Sequence, residues 1–169
     1  MLEDDGFGKL GLYSNAAIYL GIAIGSLLST GFLNKVGDIN SMIIGSFMCV
    51  PFMGSFLVPS LKIEYYQGSE SYFFSEGFIF LIIIAFSFLH GLSEALLFVA
   101  QGKYIADCAT ERNKGFFFSY FWAFYMSSQI VGNYIAAKVL GRMTQTAYIL
   151  IMTLTTVVFS IVFVFLKPT

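Results

Sequence analysis

Of 169 residues, 57% are hydrophobic and 11% charged, too much apolar surface for a water-soluble fold, whose domains carry about 25% charged residues. A net charge of -1 offers a phosphate backbone nothing to attract, which excludes nucleic acid as a partner. Two cysteines, Cys49 and Cys108, are too few for a disulfide framework or a zinc site and read as free thiols.

The opening residues, Met1 to Lys9, are short and acidic, without the basic region or cleavage site of a signal peptide. Five apolar stretches follow, at 11–33, 41–60, 77–100, 116–140 and 146–166, of 23, 20, 24, 25 and 21 residues. A helix needs about 20 residues to cross ~30 Å of hydrocarbon. The pattern predicts an all-α polytopic bundle of five transmembrane helices, a single membrane domain over 1–169.

Between the spans, Asn34 to Asn40 reads as a loop, because Asn34, Gly37 and Asp38 suit helix ends and turns. Pro51 lacks a backbone donor and predicts a kink in the second span, and Pro59 predicts its end. The loop from Leu61 to Glu76 sets Tyr65, Tyr66 and Tyr72 where phenol rings sit at headgroup level. The third span ends at Ala100, and Gln101 to Gly115 reads as a loop with Asn113 as N-cap of the next helix.

Basic residues set the threading. Lys35, Lys103, Arg112, Lys114 and Lys167 fall on one side; Lys9, Lys62 and Arg142 fall on the other, with Lys138 at a helix end. Positive charge marks the cytoplasmic or matrix side, which predicts an N-terminus outside and a C-terminus inside. That threading suits a chain lacking one preceding span.

Within the spans the charged residues are Glu94 and Lys138. An ionisable group in lipid costs several kcal/mol and marks a candidate site. His90 and Glu94, at i and i+4, share a helix face. They offer a proton or cation relay, or a carboxylate held by packing partners or left protonated near the interface. Lys138 snorkels toward the interface. Gln129 and Asn133 form a second i, i+4 pair, beside Ser127 and Ser128, a polar face that pairs with a neighbouring helix or binds a substrate. Gly21 with Gly25, and Gly91 with Ala95, carry the small-residue spacing of close helix approach.

Enzyme chemistry finds no support. The lone histidine, His90, lies in a span and builds neither a soluble triad nor a metal site. Gly102-Lys103 lacks the glycine spacing of a phosphate loop, and Glu111-Arg112 reads as a solvated pair. No catalytic residue, metal or cofactor is expected.

Gln101-Gly-Lys-Tyr104, Cys108-Ala-Thr-Glu-Arg-Asn-Lys-Gly115, Phe116-Phe-Phe-Ser-Tyr-Phe-Trp-Ala-Phe124 and Ser127-Ser-Gln-Ile-Val-Gly-Asn133 together resemble the Unc-ninety-three-like branch of the major facilitator superfamily. Gly11-Leu12 through Lys35-Val-Gly37 is similar to its second helix and the loop after it. The resemblance implies that the spans are helices two to six of a twelve-helix protein, a partial facilitator half. It also implies that the segments at 34–40 and 101–115 are cytoplasmic, the sidedness that charge gives. The superfamily's Asp-Arg-x-Gly-Arg loop is degenerate here, with Asn34, Lys35, Gly37 and Asp38, which undercuts the usual gating ion pairs.

Alternating access needs two bundles rocking about a site between them, and this sequence supplies part of one. The expectation is a non-enzymatic membrane protein, an accessory, regulatory or structural subunit contacting the lipid bilayer and other integral membrane subunits. The family includes channel regulators and trafficking partners, as the resemblance implies. The alternative is a component of a solute transporter, completed by missing helices or a second chain.

Overall fold

The computed structural model describes residues 8–66 and 72–166. The acidic tail at 1–7, Lys167 of the charge count and the middle of the segment at 61–76 lie outside them. The described residues form six α-helices in order: α1 Leu10–Val36, α2 Asp38–Ser55, α3 Leu57–Tyr65, α4 Glu76–Cys108, α5 Lys114–Leu140 and α6 Gln145–Val162. Short 3-10 turns stand at Tyr72–Phe74 and Phe163–Phe165, and no strand occurs among the described residues.

Among the described residues, four segments are long and apolar enough to cross a bilayer: Leu10–Val36, Asp38–Tyr65, Glu76–Cys108 and Gln145–Phe165. The fifth expected span, α5, has the length at 27 residues but not the apolarity. Tyr120, Tyr125, Ser127, Ser128, Gln129, Asn133 and Tyr134 dilute it.

Several boundaries differ from the sequence expectation, because hydropathy marks where a helix leaves hydrocarbon and hydrogen bonding marks where it stops. The expected loop at 34–40 shrinks to Gly37 alone, at φ 85° and ψ 165°. Only glycine adopts such a conformation without strain. Gly37 N–H donates to the Leu33 carbonyl at 2.8 Å, and the Gly37 carbonyl accepts from Ser41 N–H at 3.1 Å. Gln101 to Cys108, expected as loop, continues α4 as helix. Pro51 lies inside α2 without interrupting it, and the break comes at Phe56. Pro59 does not end the span; it sits in the first turn of α3, where a missing donor is tolerated. The proline N–H that would answer the Ser55 carbonyl is absent, which accounts for the interruption. Asn113 holds the N-cap position of α5 without a capping bond. Its Oδ1 accepts from Thr110 N–H at 2.7 Å and from Thr110 Oγ at 2.8 Å, closing the turn instead. Ser75 and Thr144 do cap, accepting from Phe78 N–H and Ala147 N–H, each at 3.3 Å.

α4 is the hub. α1 runs parallel to it, with Ser14 beside Ser87, Gly21 on Gly91 and Gly25 on Ala95. The seam is small in the middle and bulky at its ends. Leu10 packs with Ile79 and Ile83 at one end, and Leu33 with Met42 and Ala100 at the other. Large end residues and glycine centres let two helices approach backbone to backbone. α2 lies antiparallel on another side of α4, with Gly45 against Ser93 and Leu97. α6 packs on α2 and α3, where Ser160 Oγ donates to the Ser46 carbonyl at 2.9 Å and the Ser60 and Thr146 hydroxyls lie 3.0 Å apart. α5 is attached more sparsely than any of these and has no buried residue.

A polar face on α4 beside the bare helix α5

His90, Glu94, Phe98 and Gln101 recur at helical spacing, so α4 presents them on one face, flanking its glycine seam with α1. The imidazole of His90 lies flat on the Phe52 ring of α2, with centroids 4.2 Å apart and planes 7° apart. Its Nδ1 is buried without a hydrogen-bond partner among the described residues. Its Nε2 stands 4.0 Å from a Glu94 carboxylate oxygen, an electrostatic contact too long for a hydrogen bond. The two side chains are 19% and 27% exposed, so neither is fully withdrawn from its surroundings. Phe98, one turn on, anchors α5: its ring stacks on Trp122 at 6.2 Å and meets Tyr125 edge-on at 5.4 Å.

Past Tyr125, the middle of α5 is bare. Residues 126–135 are exposed without exception. Ser127 Oγ donates to the Ala123 carbonyl and Ser128 Oγ to the Tyr125 carbonyl, both at 2.7 Å, so these hydroxyls are spent within their own helix. Gln129 and Asn133 stand in the open stretch, and no helix among the described residues covers them. Lys138 lies beyond them, its Nζ 5.8 Å from the Tyr134 ring centre. The structure thus joins His90 to Glu94 on one helix and sets Gln129 and Asn133 on another, facing no third.

The degenerate loop behaves differently. Asn34 and Lys35 are exposed at the end of α1, and Gly37 supplies the hinge. Asp38 opens α2, where a carboxylate favours the helix N-terminus, and accepts from Lys103 Nζ at 2.8 Å. Asp107 stands 3.7 Å from the same ammonium. Hydropathy alone ends the third span before Lys103 and so hides this link between the ends of α2 and α4. Helical continuity through Cys108 places Lys103 and Asp107 one turn apart, facing Asp38. A second feature is an open crevice of about 280 Å³ among α1, α2 and α4, lined by Gly25, Phe32, Ile44, Met48 and Leu92. Its hydroxyls, Ser29 and Ser93, donate to their own helices, which leaves the crevice apolar.

The sequence profile of ion channel regulatory protein UNC-93 matches residues 8–168. The chain belongs to the UNC-93 family. No curated protein and no solved structure matches it. Membership accords with the resemblance carried by Gln101 to Asn133, and with the apolar helices it makes this an integral membrane protein of regulatory type. In this UNC-93 chain the polar face of α4 holds no metal set: among the described residues no three His, Cys, Asp or Glu side chains group together. What the arrangement offers is a carboxylate, an imidazole and two carboxamides beside an open helix face.

Proposed function

We propose that this UNC-93 chain is an accessory, regulatory subunit of a larger membrane complex, seated on its partner through the open face of α5. One observation carries the reading: among the described residues, a helix of 27 residues has no buried residue, and its middle, 126–135, is exposed throughout. Against hydrocarbon, the Gln129 and Asn133 carboxamides would go without hydrogen-bond partners, at a cost of order 1–3 kcal/mol each. A partner helix supplies those bonds and covers the aromatic flank of α5. The family description, ion channel regulatory protein, supports a channel or comparable membrane assembly as the partner. The charge balance supports an N-terminus outside, and the motif resemblance supports a facilitator-type half in which the described helices form one membrane domain.

Purification in mild detergent tests this. The chain is expected to migrate with a larger complex, and Gly132→Trp is expected to release it. Gly132 has open space around it, so an indole there blocks a partner without disturbing the fold. A chain found solely as a monomer rejects the proposal.

A second reading draws on the placement of His90 beside Glu94 at 4.0 Å. It makes the chain one part of a solute transporter completed by other helices, with this pair handing on a proton. Glu94→Gln would then abolish proton-linked uptake at unchanged abundance; undiminished uptake dismisses it.

A further inference from the structure

We infer that the partner helix seated beside α5 carries a basic side chain, lysine or arginine, received by Glu94 in a polar layer with His90, Gln129 and Asn133. The inference rests on the docking reading above and names the chemistry of the docked helix.

The layer follows from helix register. α4 and α5 are joined by the short turn at 109–113 and run antiparallel, with Phe98 against Trp122 and Tyr125. Nearer the turn, Tyr104 and Ile105 face Phe117 and Phe121 across a gap of about 370 Å³, as the same register requires. Moving away from the turn by one step of four residues reaches Glu94 on α4 and Gln129 on α5. A second step reaches His90 and Asn133. Each step rises about 6 Å on both helices, so the polar groups lie at matching heights. Two pairs that look unrelated in sequence share one level of the bundle.

The layer lacks a fixed positive charge. Among the described residues, the ionisable neighbours of Glu94 are His90, whose Nδ1 is itself without a partner, and the Cys49 thiol of α2, neither of them a fixed cation. Lys103 is nine residues from Glu94, about 14 Å along the helix, and engages Asp38. Lys138 is nine residues past Gln129 and lies by the Tyr134 ring. Neither reaches the carboxylate.

That composition selects among occupants. A lipid chain leaves the carboxamides and carboxylate unmatched. A second copy related by a twofold axis along the membrane normal brings Glu94 to the height of Glu94, carboxylate facing carboxylate. A basic side chain neutralises Glu94 and donates to the Gln129 and Asn133 carbonyl oxygens, answering each group through charge-assisted bonds.

The test uses the full chain in phosphatidylcholine vesicles. The probes are leucine-alanine transmembrane peptides bearing a dansyl acceptor and Lys, Leu or Glu at mid-span. Trp122, the chain's single tryptophan, is the energy-transfer donor. The Lys peptide is expected to associate about ten-fold more tightly than the Leu or Glu peptide. Glu94→Gln should erase that preference, Glu94→Asp should retain it, and Glu94→Lys should transfer it to the Glu peptide. Equal association of the Lys and Glu peptides with the unmodified chain overturns the inference, as does a preference that survives in Glu94→Gln. Far-UV circular dichroism matching the unmodified chain verifies folding; if Glu94→Lys fails to fold, the Gln and Asp variants decide. A chain that purifies in a complex yet shows no peptide preference sinks this inference and leaves the accessory role standing. A monomeric chain that prefers the Lys peptide does the reverse.

Discussion

Gly21 of α1 and Gly91 of α4 meet with no side chain between them. A Cβ added to Gly91 would stand 3.0 Å from the Gly21 Cα and 2.9 Å from the Ile18 carbonyl carbon. The obstacle is backbone, which cannot rotate aside as a side chain can. Gly91→Ala must therefore part the two helices and loosen the neighbouring Gly25–Ala95 contact. The expected cost is about 3 kcal/mol, at the upper end for overpacking. Gly102→Ala, where nothing lies within 4 Å, is the control. It should gain ~0.5–1 kcal/mol through reduced backbone entropy in a helix. Denaturation in bicelles compares them; equal stabilities would discard the seam as a determinant of the fold.

The seam also shows which links a sequence discloses. Small residues four apart at Gly21 and Gly25, and at Gly91 and Ala95, were visible, but their pairing with each other was not. Small-residue spacing says that a helix permits close approach and nothing about which helix arrives. The same limit separated His90 and Glu94 from Gln129 and Asn133, because the α4–α5 register is set by Phe98, Trp122 and Tyr125. The lipid-crossing character of four helices was legible, since span length and apolarity are local properties. Helix ends were not: Gln101 to Cys108 turns polar while its backbone goes on making helical hydrogen bonds.

At the far end of α3, Glu64 caps a helix it does not belong to. Its Oε1 accepts from Thr146 N–H at 3.0 Å, in the first turn of α6. That amide has no carbonyl of its own helix to bond, and a carboxylate there also suits the helix dipole. Glu64→Ala should destabilise the start of α6 by about 1 kcal/mol, as loss of a cap does. Glu64→Gln, which keeps an acceptor and drops the charge, should lose less. Hydrogen exchange at Thr146 and Ala147 reads this directly, and unchanged protection in the alanine variant would contradict it.

Asp38 and Lys103 tie the ends of α2 and α4 at 2.8 Å. Lys103 is 46% exposed, so salt should screen the pair strongly. In a double-mutant cycle, Asp38→Asn and Lys103→Met should be coupled at low ionic strength and nearly additive in about 1 M salt. Coupling that persists at high salt would mean that the pair acts through packing of the lysine stem and not through charge.

Phe98 carries both ring contacts between α4 and α5 among the described residues, and α5 has little else to hold it. Each aromatic pair adds about 0.5–1.5 kcal/mol beyond its buried area, so removing the shared partner should cost about 1–3 kcal/mol of α5 docking. The α1–α4 seam and the α2–α6 hydroxyl contacts do not pass through this ring, so the rest of the bundle should persist. Phe98→Ala is therefore expected to free α5 selectively. Trp122 should become more accessible to quenchers carried on lipid tails, while hydrogen exchange at Gly91 and Ala95 stays slow. If Trp122 quenching is unchanged in Phe98→Ala, α5 is held by something other than this cluster. The height match of Glu94 with Gln129 then loses its anchor, because these rings fix that register.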